Sequence, residues 1–495
     1  MQDFDLRYLL SCFLVLAIQS AYATSSPNSP IQDTTSRPNI VFILADDLGY
    51  GDLGFLGQQY IETPAIDRLA ANGMFFTNFY SGATVCAPSR SAFMTGLHTG
   101  HTPIRGNTEV QPEGQRPMPD SVMTVSKLMQ EAGYVTGAFG KWGLGFPGSE
   151  GDPVNQGFDQ FFGYNCQRFA HRYYPAYLWD NSEKVELPGN DWSKKGDFAP
   201  DVIQEKTLEF IEKNQDNSFF LFMPIVMPHA ELAAPDDNLM RKYQAKFPNE
   251  TPYLAKSRGS DYGPQMAIPG YQSQPYPHAT FAAMVERIDR YVAEVVEKLD
   301  ELGLSENTII IFASDNGAHQ EGGADPDFFD SNGIFRGHKR DLYEGGIRTP
   351  MIAYWPGKIK AGSKSDKAFA FWDLLPTFSE LAGITPEKQT DGLSFLPTLL
   401  GNGDQQEHDY LYWEFHEQGG KQAIRQGNWK GIKLQVFGAD EPVFELYDLS
   451  KDPSETNNLA SQNRNKLQEL AQLMDQARTS NSQFPLYPVE RANQK

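Results

Sequence analysis

The sequence is poor in cysteine and in long hydrophobic runs. It holds 3 cysteines in 495 residues, and one of them, Cys12, lies in an apolar run at 9–18. The other two, Cys86 and Cys166, are too few for a disulfide framework, so stability must come from a conventional core. The run at 9–18 is too short to span a bilayer, and no later stretch is long and apolar enough to do so.

Positive charge is also scarce. The chain has 42 Lys and Arg against 63 Asp and Glu, a formal net charge of -21. An acidic chain of this kind argues against nucleic acid as a partner. It also repels anionic substrates at long range, so a sulfate or phosphate site must be locally basic or hold a metal. The apolar share of 40% and aromatic share of 13% suit a globular protein with a sizeable core.

The N-terminal segment has the pattern of an export signal. A short apolar run at 9–18 is followed by the sequence Ala-Tyr-Ala that ends at Ala23. We therefore predict a cleavable signal peptide at 1–23 and a secreted or periplasmic protein, with a lipoprotein signal at Cys12 as the weaker alternative. Residues 24–36 are rich in Ser, Thr and Pro and predict a disordered lead-in.

Several short apolar runs end abruptly in polar residues, at 39–44, 218–223 and 308–312. This pattern is typical of strands buried on both faces, as in a parallel sheet covered by helices. Helical periodicity between them predicts helices at 121–132 and 281–302. The predicted fold is a large α/β/α sandwich with a mostly parallel central sheet. Ligand sites in such folds collect at the carboxyl ends of strands.

The pattern changes at a turn-rich break near residue 401, so we predict a catalytic domain at 37–401 and a smaller C-terminal domain at 402–495. The C-terminal part is predicted to be α+β, with an antiparallel sheet and a helix at 464–477. The strand candidates are 410–415, 422–425, 429–434 and 443–447.

The most informative run begins at Cys86 and reads Cys-Ala-Pro-Ser-Arg, with Thr-Gly at 95–96. Pro88 fits the first turn of a helix, where a missing N–H costs little. Arg90 lies four residues after Cys86 and would share its helix face. A helix N-terminus attracts anions through its free N–H groups. The alternative is a buried structural cysteine or a disulfide with Cys166.

This run resembles the signature of the formylglycine-dependent sulfatases, arylsulfatase A-like members of the alkaline phosphatase superfamily. Every fixed position of C-x-P-S-R-x-x-x-x-T-G is met. The resemblance implies that a formylglycine-generating enzyme oxidises Cys86 to Cα-formylglycine. It further implies that the hydrated aldehyde, a gem-diol, attacks sulfur and forms a covalent sulfo-enzyme.

Two predicted strand ends carry hard oxygen ligands. Asp46 and Asp47 follow the first strand, and Asp315 and Asn316 follow the third. Such a set suits Ca²⁺ or Mg²⁺ rather than zinc or copper. The resemblance implies one Ca²⁺ held by these four residues and by the formylglycine at Cys86. An Asp-Asp pair alone is more often a solvated turn or a helix cap.

The cationic residues are matched by their neighbours in the chain. Lys141 lies in Gly-Lys-Trp-Gly-Leu-Gly, Lys339 lies four residues before Tyr-Glu-Gly-Gly, and His229 follows a proline. The resemblance implies that Arg90, Lys141 and Lys339 hold the sulfuryl oxygens. It implies that His229 or Lys339 protonates the leaving alcohol. Asp315 is a further candidate acid or base.

One position departs from the family pattern. Many sulfatases carry histidine where this chain has Gly143. That histidine is thought to act as a base, so the identity of the base is open here. The replacements that the sequence offers are Asp46, Asp47, His229, His98 and His101.

The segment at 165–174 mixes aromatic and hydrogen-bonding side chains, including Arg168 and His171. Such a loop can hold a sugar, with ordinary loop packing as the alternative. This segment and the one at 228–231 resemble sulfatases of carbohydrate-degrading bacteria, some of which remove 4-O-sulfate from galactose or N-acetylgalactosamine. We predict an exo-acting enzyme on such a sugar. The predicted substrate-binding residues are Lys141, His229, Lys339, Arg168 and His171.

Two other functions compete with this interpretation. A phosphodiesterase or phosphonate monoester hydrolase of the same superfamily would hold two transition metals rather than one Ca²⁺. A non-catalytic glycan-binding protein would keep Cys86 as a thiol, yet the full set of matched residues argues against it.

Overall fold

The computed structural model describes residues 37–111, 113–191, 194–255, 271–386, 390–438 and 441–492. These residues belong to one compact unit. The predicted signal peptide at 1–23 and lead-in at 24–36 lie outside them. Within the described ranges, no helix combines the length and apolar character needed to cross a membrane.

Ten strands form one mixed sheet with a parallel centre. Their order in space is β11-β2-β10-β9-β1-β8-β4-β5-β6-β7, and β9 to β5 run parallel. A separate short pair joins β3 to β12. The strands are β1 (Asn39–Asp46), β2 (Met74–Phe76), β3 (Phe79–Tyr80), β4 (Val135–Lys141), β5 (Gln160–Tyr164), β6 (Tyr177–Asp180), β7 (Glu183–Glu186), β8 (Phe219–Pro228), β9 (Thr308–Ser314), β10 (Met351–Tyr354), β11 (Ser363–Ser365) and β12 (Phe369–Ala370).

Helices cover both faces of this sheet. Alternate residues of β1 enter two different cores: Val41 and Ile43 pack into one, and Ile40 and Phe42 into the other. Each core is closed by its own helices, so the predicted α/β/α sandwich is confirmed. The helices are α1 (Pro64–Asn72), α2 (Cys86–Thr95), α3 (Val125–Glu131), α4 (Ala199–Lys213), α5 (Asn238–Lys246), α6 (Pro277–Glu301), α7 (Pro326–Phe329), α8 (Glu344–Ile347), α9 (Leu374–Leu381), α10 (Leu396–Leu400), α11 (Arg464–Gln476) and α12 (Pro488–Ala492).

Two helix boundaries differ from those predicted. The helix expected at 281–302 is α6, which begins four residues earlier with Pro277 in its first turn. The helix expected at 121–132 is the shorter α3. It starts after Thr124, whose side chain accepts a hydrogen bond from the backbone N–H of Lys127 and so caps the helix.

The four C-terminal strands form an antiparallel sheet, as predicted. They are β13 (Leu411–Phe415), β14 (Lys421–Gln426), β15 (Trp429–Leu434) and β16 (Val443–Asp448). One face packs on α11 through Leu470 and Met474. The other face packs against the segments around α2 and α8, where Trp413 Nε1 donates to Ser81 O (3.0 Å). The division into two domains at residue 401 stays a prediction.

Candidate active site

The carboxyl ends of β1 and β9 bring four oxygen-bearing side chains together. The two strands pair in parallel and end side by side, so Asp46 and Asp47 meet Asp315 and Asn316. Asp47 has φ 66°, a left-handed conformation that turns the chain sharply after β1. Its backbone N–H donates to Asp315 Oδ1 (3.1 Å), and its Oδ1 accepts from Asn316 Nδ2 (2.6 Å).

Helix α2 brings a cysteine and an arginine to the same carboxylates. Cys86 is the first residue of the helix, and Pro88 falls in the first turn, as expected from its missing N–H. Cys86 Sγ lies 3.2 Å from Asp46 Oδ1. Arg90, one turn later, places Nη2 at 3.3 Å from Asp46 Oδ2 and at 3.0 Å from Asp315 Oδ2. All of these side chains are buried.

Two lysines complete the charged cluster. Lys141 is the last residue of β4, and its Nζ lies 2.5 Å from Asp46 Oδ2. Lys339 Nζ lies 2.8 Å from Asp47 Oδ2 and 2.8 Å from His229 Nε2. Both lysines are buried, so their charges act with little screening by water. The cluster therefore brings three buried cations to one place, the basic groups that an anion site in an acidic protein needs.

The hydrogen bonds of His229 define its tautomer. Lys339 Nζ can only donate, so Nε2 of the imidazole accepts. Nδ1 then carries the ring proton and donates to Ala230 O (2.5 Å). Burial, together with the charges of Lys339 and Lys141, holds the pKa of His229 well below its ordinary value. His229 is thus a neutral imidazole with its lone pair turned into the site.

The carboxyl groups differ in their affinity for a proton. Burial raises the pKa of Asp47, but the Lys339 ammonium outweighs it and lowers the pKa to about 2. At Asp315, burial and the neighbouring charge of Asp46 outweigh Arg90 and raise the pKa to about 7. Asp315 is therefore the more readily protonated of the two.

The donor set fits a hard divalent cation. Asn316 Oδ1 is buried, and no described residue donates a hydrogen bond to it. A carbonyl oxygen of this kind is a good ligand for Ca²⁺, as are the carboxylates beside it. Four potential ligand atoms lie within 4.8 Å of one another, on Asp46, Asp47, Cys86 and His229.

The two remaining cysteines do not form a disulfide. Cys86 and Cys166 are both buried and neither is in a disulfide, so the bridge considered as an alternative is absent from the structure. Burial, with the charges of Asp315 and Asp46, raises the pKa of the Cys86 thiol well above its ordinary value. An unmodified Cys86 would hold very little thiolate at neutral pH and would be a weak nucleophile.

The two predicted substrate-binding residues of the segment at 165–174, Arg168 and His171, differ in their contacts. The His171 ring stacks on His229 with centroids 4.1 Å apart, and its buried Nε2 has no hydrogen-bond partner among the described residues. Arg168 lies farther out and forms an ion pair with Glu109 (3.0 Å). The structure therefore brings His171 to the charged cluster through His229.

His98 and His101, two candidates for the base, form a separate group. His101 Nδ1 bonds to Asp391 (2.9 Å), and the two imidazole rings stack at 4.5 Å. His98 also packs on Tyr412, a residue of the C-terminal sheet. Both rings lie beside Asp391, and the structure does not bring them into the group formed by Asp46, Asp47, Cys86 and His229.

Sequence reasoning missed two residues beside the cluster, His319 and Glu321. They follow the Asp-Asn-Gly segment after β9, and their potential ligand atoms come within 4.8 Å of Asp47. His319 uses both ring nitrogens for backbone groups, because Nε2 bonds to Pro228 O (3.0 Å) and Nδ1 accepts from the Glu321 N–H (3.2 Å). Glu321 lies 3.7 Å from Lys339 Nζ. Their position directly after a strand end was the signal that could have found them.

Sequence comparisons identify relatives over most of the chain. A sequence model described as Sulfatase matches residues 38–384, and one described as N-sulphoglucosamine sulphohydrolase, C-terminal, matches residues 332–482. The chain is 34% identical over 416 residues to N-acetylgalactosamine-6-sulfatase of Canis lupus familiaris, covering 78% of this chain and 70% of that protein. It is 29% identical to N-acetylgalactosamine-6-O-sulfatase of Bacteroides thetaiotaomicron, covering 90% and 94%. It is 30% identical to arylsulfatase A of Homo sapiens, covering 90% and 86%.

Solved structures agree with the sequence relatives. The fold is similar to that of Ps i-CgsB, with a TM-score of 0.71 at 29% identity, covering 89% of this chain and 92% of that one. The phosphonate monoester hydrolase of Agrobacterium radiobacter has a TM-score of 0.60 at 19% identity, covering 89% and 95%, which is a likeness of fold alone. The family predicted from the run at Cys86 is therefore confirmed: the chain belongs to the sulfatase family and is a sulfuric ester hydrolase.

Proposed function

We propose that the protein removes sulfate from a sulfated sugar, acting on a terminal galactose or N-acetylgalactosamine residue. The observation that carries the proposal is the buried cluster in which Arg90, Lys141 and Lys339 surround the first residue of α2. Three cations at one helix N-terminus suit the oxygens of a sulfate ester. Their burial supports exo action, since a terminal sugar can enter a deep site more easily than an internal one.

Position 86 is proposed to carry the nucleophile. Once Cys86 has been converted to formylglycine by a formylglycine-generating enzyme, the hydrated aldehyde supplies a hydroxyl group that attacks sulfur. Asp46 Oδ1 lies 3.2 Å from Cys86 Sγ and is the carboxylate best positioned to take a proton from a group at position 86. We therefore propose Asp46 as the base in place of the histidine that is missing at Gly143.

A single Ca²⁺ is proposed beside the nucleophile. Asp46, Asp47, Asp315 and Asn316 would hold it together with residue 86, and bound Ca²⁺ polarises oxygens of the reacting groups. The unpaired, buried Oδ1 of Asn316 supports this ligand set. Three aspartates against three basic side chains leave the cluster near neutral, so a divalent cation makes it attractive to an anion.

The leaving group is proposed to meet Lys339 and His229. Lys339 carries the protons, and His229 presents a lone pair to it at 2.8 Å. A proton can pass from Lys339 Nζ to the departing alcohol oxygen, while Arg90 and Lys141 hold the sulfuryl oxygens. His171, stacked on His229, and Arg168 farther out are the proposed contacts for the sugar.

Two positions on the sugar, O4 and O6, are candidates for the sulfate ester that the enzyme hydrolyses. The sequence alone favoured O4, whereas relatives from dog and from Bacteroides thetaiotaomicron are both named for position 6 of N-acetylgalactosamine. We therefore put 6-O-sulfated N-acetylgalactosamine first and the 4-O-sulfated sugars second. The structure of Ps i-CgsB in complex with k-i-k-neocarrahexaose, at 28% identity and a TM-score of 0.71, supports a saccharide as the substrate class.

A phosphodiesterase or phosphonate hydrolase is less well supported. A second metal beside Asp47 would need His319 and Glu321, but both ring nitrogens of His319 already bond to backbone groups. Glu321 is also paired with Arg340 (2.7 Å). These contacts favour one metal ion, and therefore sulfate transfer. Export to the periplasm or outside the cell belongs to the same proposal.

Release of inorganic sulfate tests the function. Protein made together with a formylglycine-generating enzyme is incubated with the 4-O- and 6-O-sulfates of galactose and N-acetylgalactosamine, and sulfate is measured by ion chromatography. We expect release from at least one sugar. Cys86→Ala should abolish it while the fold is kept, and Cys166→Ala, at the other buried cysteine, should retain it. Hydrolysis of a phosphodiester to an alcohol and a phosphomonoester, with no sulfate released from any sulfate ester, would refute the proposal.

A further inference from the structure

The segment at 165–171 carries an unusual concentration of buried polar atoms without partners. Neither amide atom of Asn165 has a hydrogen-bond partner among the described residues, and the same holds for Gln167 Oε1 and His171 Nε2. Asn165 is fully buried, and Gln167 is 5% exposed. Buried polar atoms are nearly always paired, so a local group of unpaired atoms indicates that something else binds there.

Gln167 lies between two parts of the active site. Its Nε2 donates to Asn107 Oδ1 (3.2 Å), which also accepts the backbone N–H of Ala87, the residue after the nucleophile position (3.2 Å). Its Oε1 would lie 3.2 Å from a Cβ atom at Gly143, two residues after Lys141. Gln167 is therefore linked to the start of α2 through Asn107 and lies beside the residues that follow β4.

The network determines which amide atom is free. A backbone N–H can only donate, so the Asn107 atom facing Ala87 is the carbonyl oxygen. Two carbonyl oxygens do not bond to each other, so the Gln167 atom facing Asn107 is the NH₂ group. The unpaired atom is then Oε1, a pure acceptor. It needs a donor, which a hydroxyl or an amide N–H of a substrate would supply.

We propose that Gln167 is a specificity-determining residue, whose Oε1 accepts a hydrogen bond from a hydroxyl or acetamido N–H of the sulfated sugar. The inference rests on the proposed function, because it takes the substrate to be a sugar. The absence of a side chain at Gly143 leaves space for the Gln167 amide beside Lys141. An acceptor held on one side by Asn107 is fixed in orientation, so it discriminates between ligands that have a donor at that point and those that lack one.

The test compares two substrates for each variant. Wild type, Gln167→Met and Gln156→Met are assayed with N-acetylgalactosamine 6-sulfate, or the best sugar sulfate found, and with 4-methylumbelliferyl sulfate, which has no sugar hydroxyls. Gln156 is the matched control, because it is also buried, its Oε1 has no hydrogen-bond partner among the described residues, and its Nε2 donates to Glu150 O (2.7 Å) rather than to Asn107.

We expect Gln167→Met to lower kcat/KM for the sugar sulfate by about tenfold or more, since the sugar donor then lies buried and unpaired. The rate with the aryl sulfate should change by less than about twofold, as should both rates of Gln156→Met. Comparing galactose 6-sulfate with N-acetylgalactosamine 6-sulfate narrows the donor: a loss confined to the second identifies the acetamido N–H, and an equal loss shows that a hydroxyl of galactose can also supply the donor.

A second variant guards against misfolding. Gln167→Glu keeps the acceptor oxygen, but its second oxygen faces Asn107 Oδ1 and can bond to it only when protonated. Both rates should therefore fall, through this lost hydrogen bond and because a carboxylate repels sulfate, while the ratio of the sugar rate to the aryl rate should stay within about threefold of wild type. Equal losses on the two substrates in Gln167→Met would overturn the inference, because Gln167 would then act on the nucleophile or the fold. Unchanged rates on both substrates would also overturn it. A wild type that releases sulfate only from the aryl ester would instead refute the proposed sugar substrate.

Discussion

Replacing Gly143 tests how the backbone next to Lys141 is built. Gly143 has φ 80°, where a residue with a Cβ atom is strained by about 1–2 kcal/mol. A Cβ at this position would also lie 3.2 Å from Gln167 Oε1 and 3.4 Å from its Cβ. Gln167 must then shift by a few tenths of an ångström, and straining its hydrogen bond to Asn107 costs up to about 0.5–1.5 kcal/mol more. We therefore expect Gly143→Ala and Gly143→His to lower the free energy of unfolding by about 1.5–3.5 kcal/mol.

The chain offers a matched control for the strain alone. Gly148 has φ 79°, and nothing lies within 4 Å of a Cβ built there. Gly148→Ala should therefore cost only the strain, about 1–2 kcal/mol. The difference between Gly143→Ala and Gly148→Ala in urea unfolding isolates the displacement of Gln167.

Turnover of the same variants tests the function of this position. A histidine at 143 matches the pattern of many sulfatases, so from the sequence alone Gly143→His would be expected to speed breakdown of the sulfo-enzyme. Because a side chain at 143 crowds Gln167, we expect Gly143→His to lower kcat for the sugar sulfate instead. A Gly143→His protein as stable as wild type and faster in sulfate release would refute this reasoning.

Three further predictions concern the metal, acid stability and the C-terminal sheet. Asp315→Asn removes one charged ligand, so calorimetric titration of metal-free protein should give weaker Ca²⁺ binding, and an unchanged affinity would remove Asp315 from the ligand set. Burial raises the pKa of Glu414, but the hydrogen bond from His416 and nearby arginines lower it to about 2. Because the folded pKa lies below the unfolded one, Glu414 contributes stability above about pH 4.5 and loses it towards pH 2. The urea midpoints of Glu414→Gln and wild type should therefore differ less at pH 4 than at pH 7, and a gap independent of pH would contradict this assignment. Lys430 is fully buried, and its Nζ lies 2.8 Å from Glu344 and 2.9 Å from Glu455. Lys430→Met should lower the free energy of unfolding by about 3–5 kcal/mol. Lys433→Met, on the same strand, should lower it by less than about 1 kcal/mol. Equal costs would refute the buried pairing.

Much of the fold follows from local pattern. The strands β1, β8 and β9 are continuous apolar runs because both of their faces are buried. Such runs predict the central strands of a parallel sheet. Strand ends then predict where the acidic residues gather, since parallel strands end at one edge. The start of α3 was missed because Thr124, which caps it, is one of several polar residues that could do so.

Much of the site depends on contacts that no local pattern encodes. Lys141, His229 and Lys339 come from separate segments, and only resemblance to a family suggested that they meet. The partner of Gly143 is Gln167, from the next strand's loop, and no spacing rule predicts that pair. The separate pairing of His98 with Asp391 is likewise a tertiary contact, which is why the histidine looked available in the sequence.

The most direct test of the account is the mass of the tryptic peptide that contains residue 86. The protein is produced together with a formylglycine-generating enzyme and shown to release sulfate before digestion. The account predicts a peptide in which the thiol of Cys86 has been replaced by an aldehyde or its hydrate. An unmodified thiol throughout a fully active preparation would contradict the proposed nucleophile.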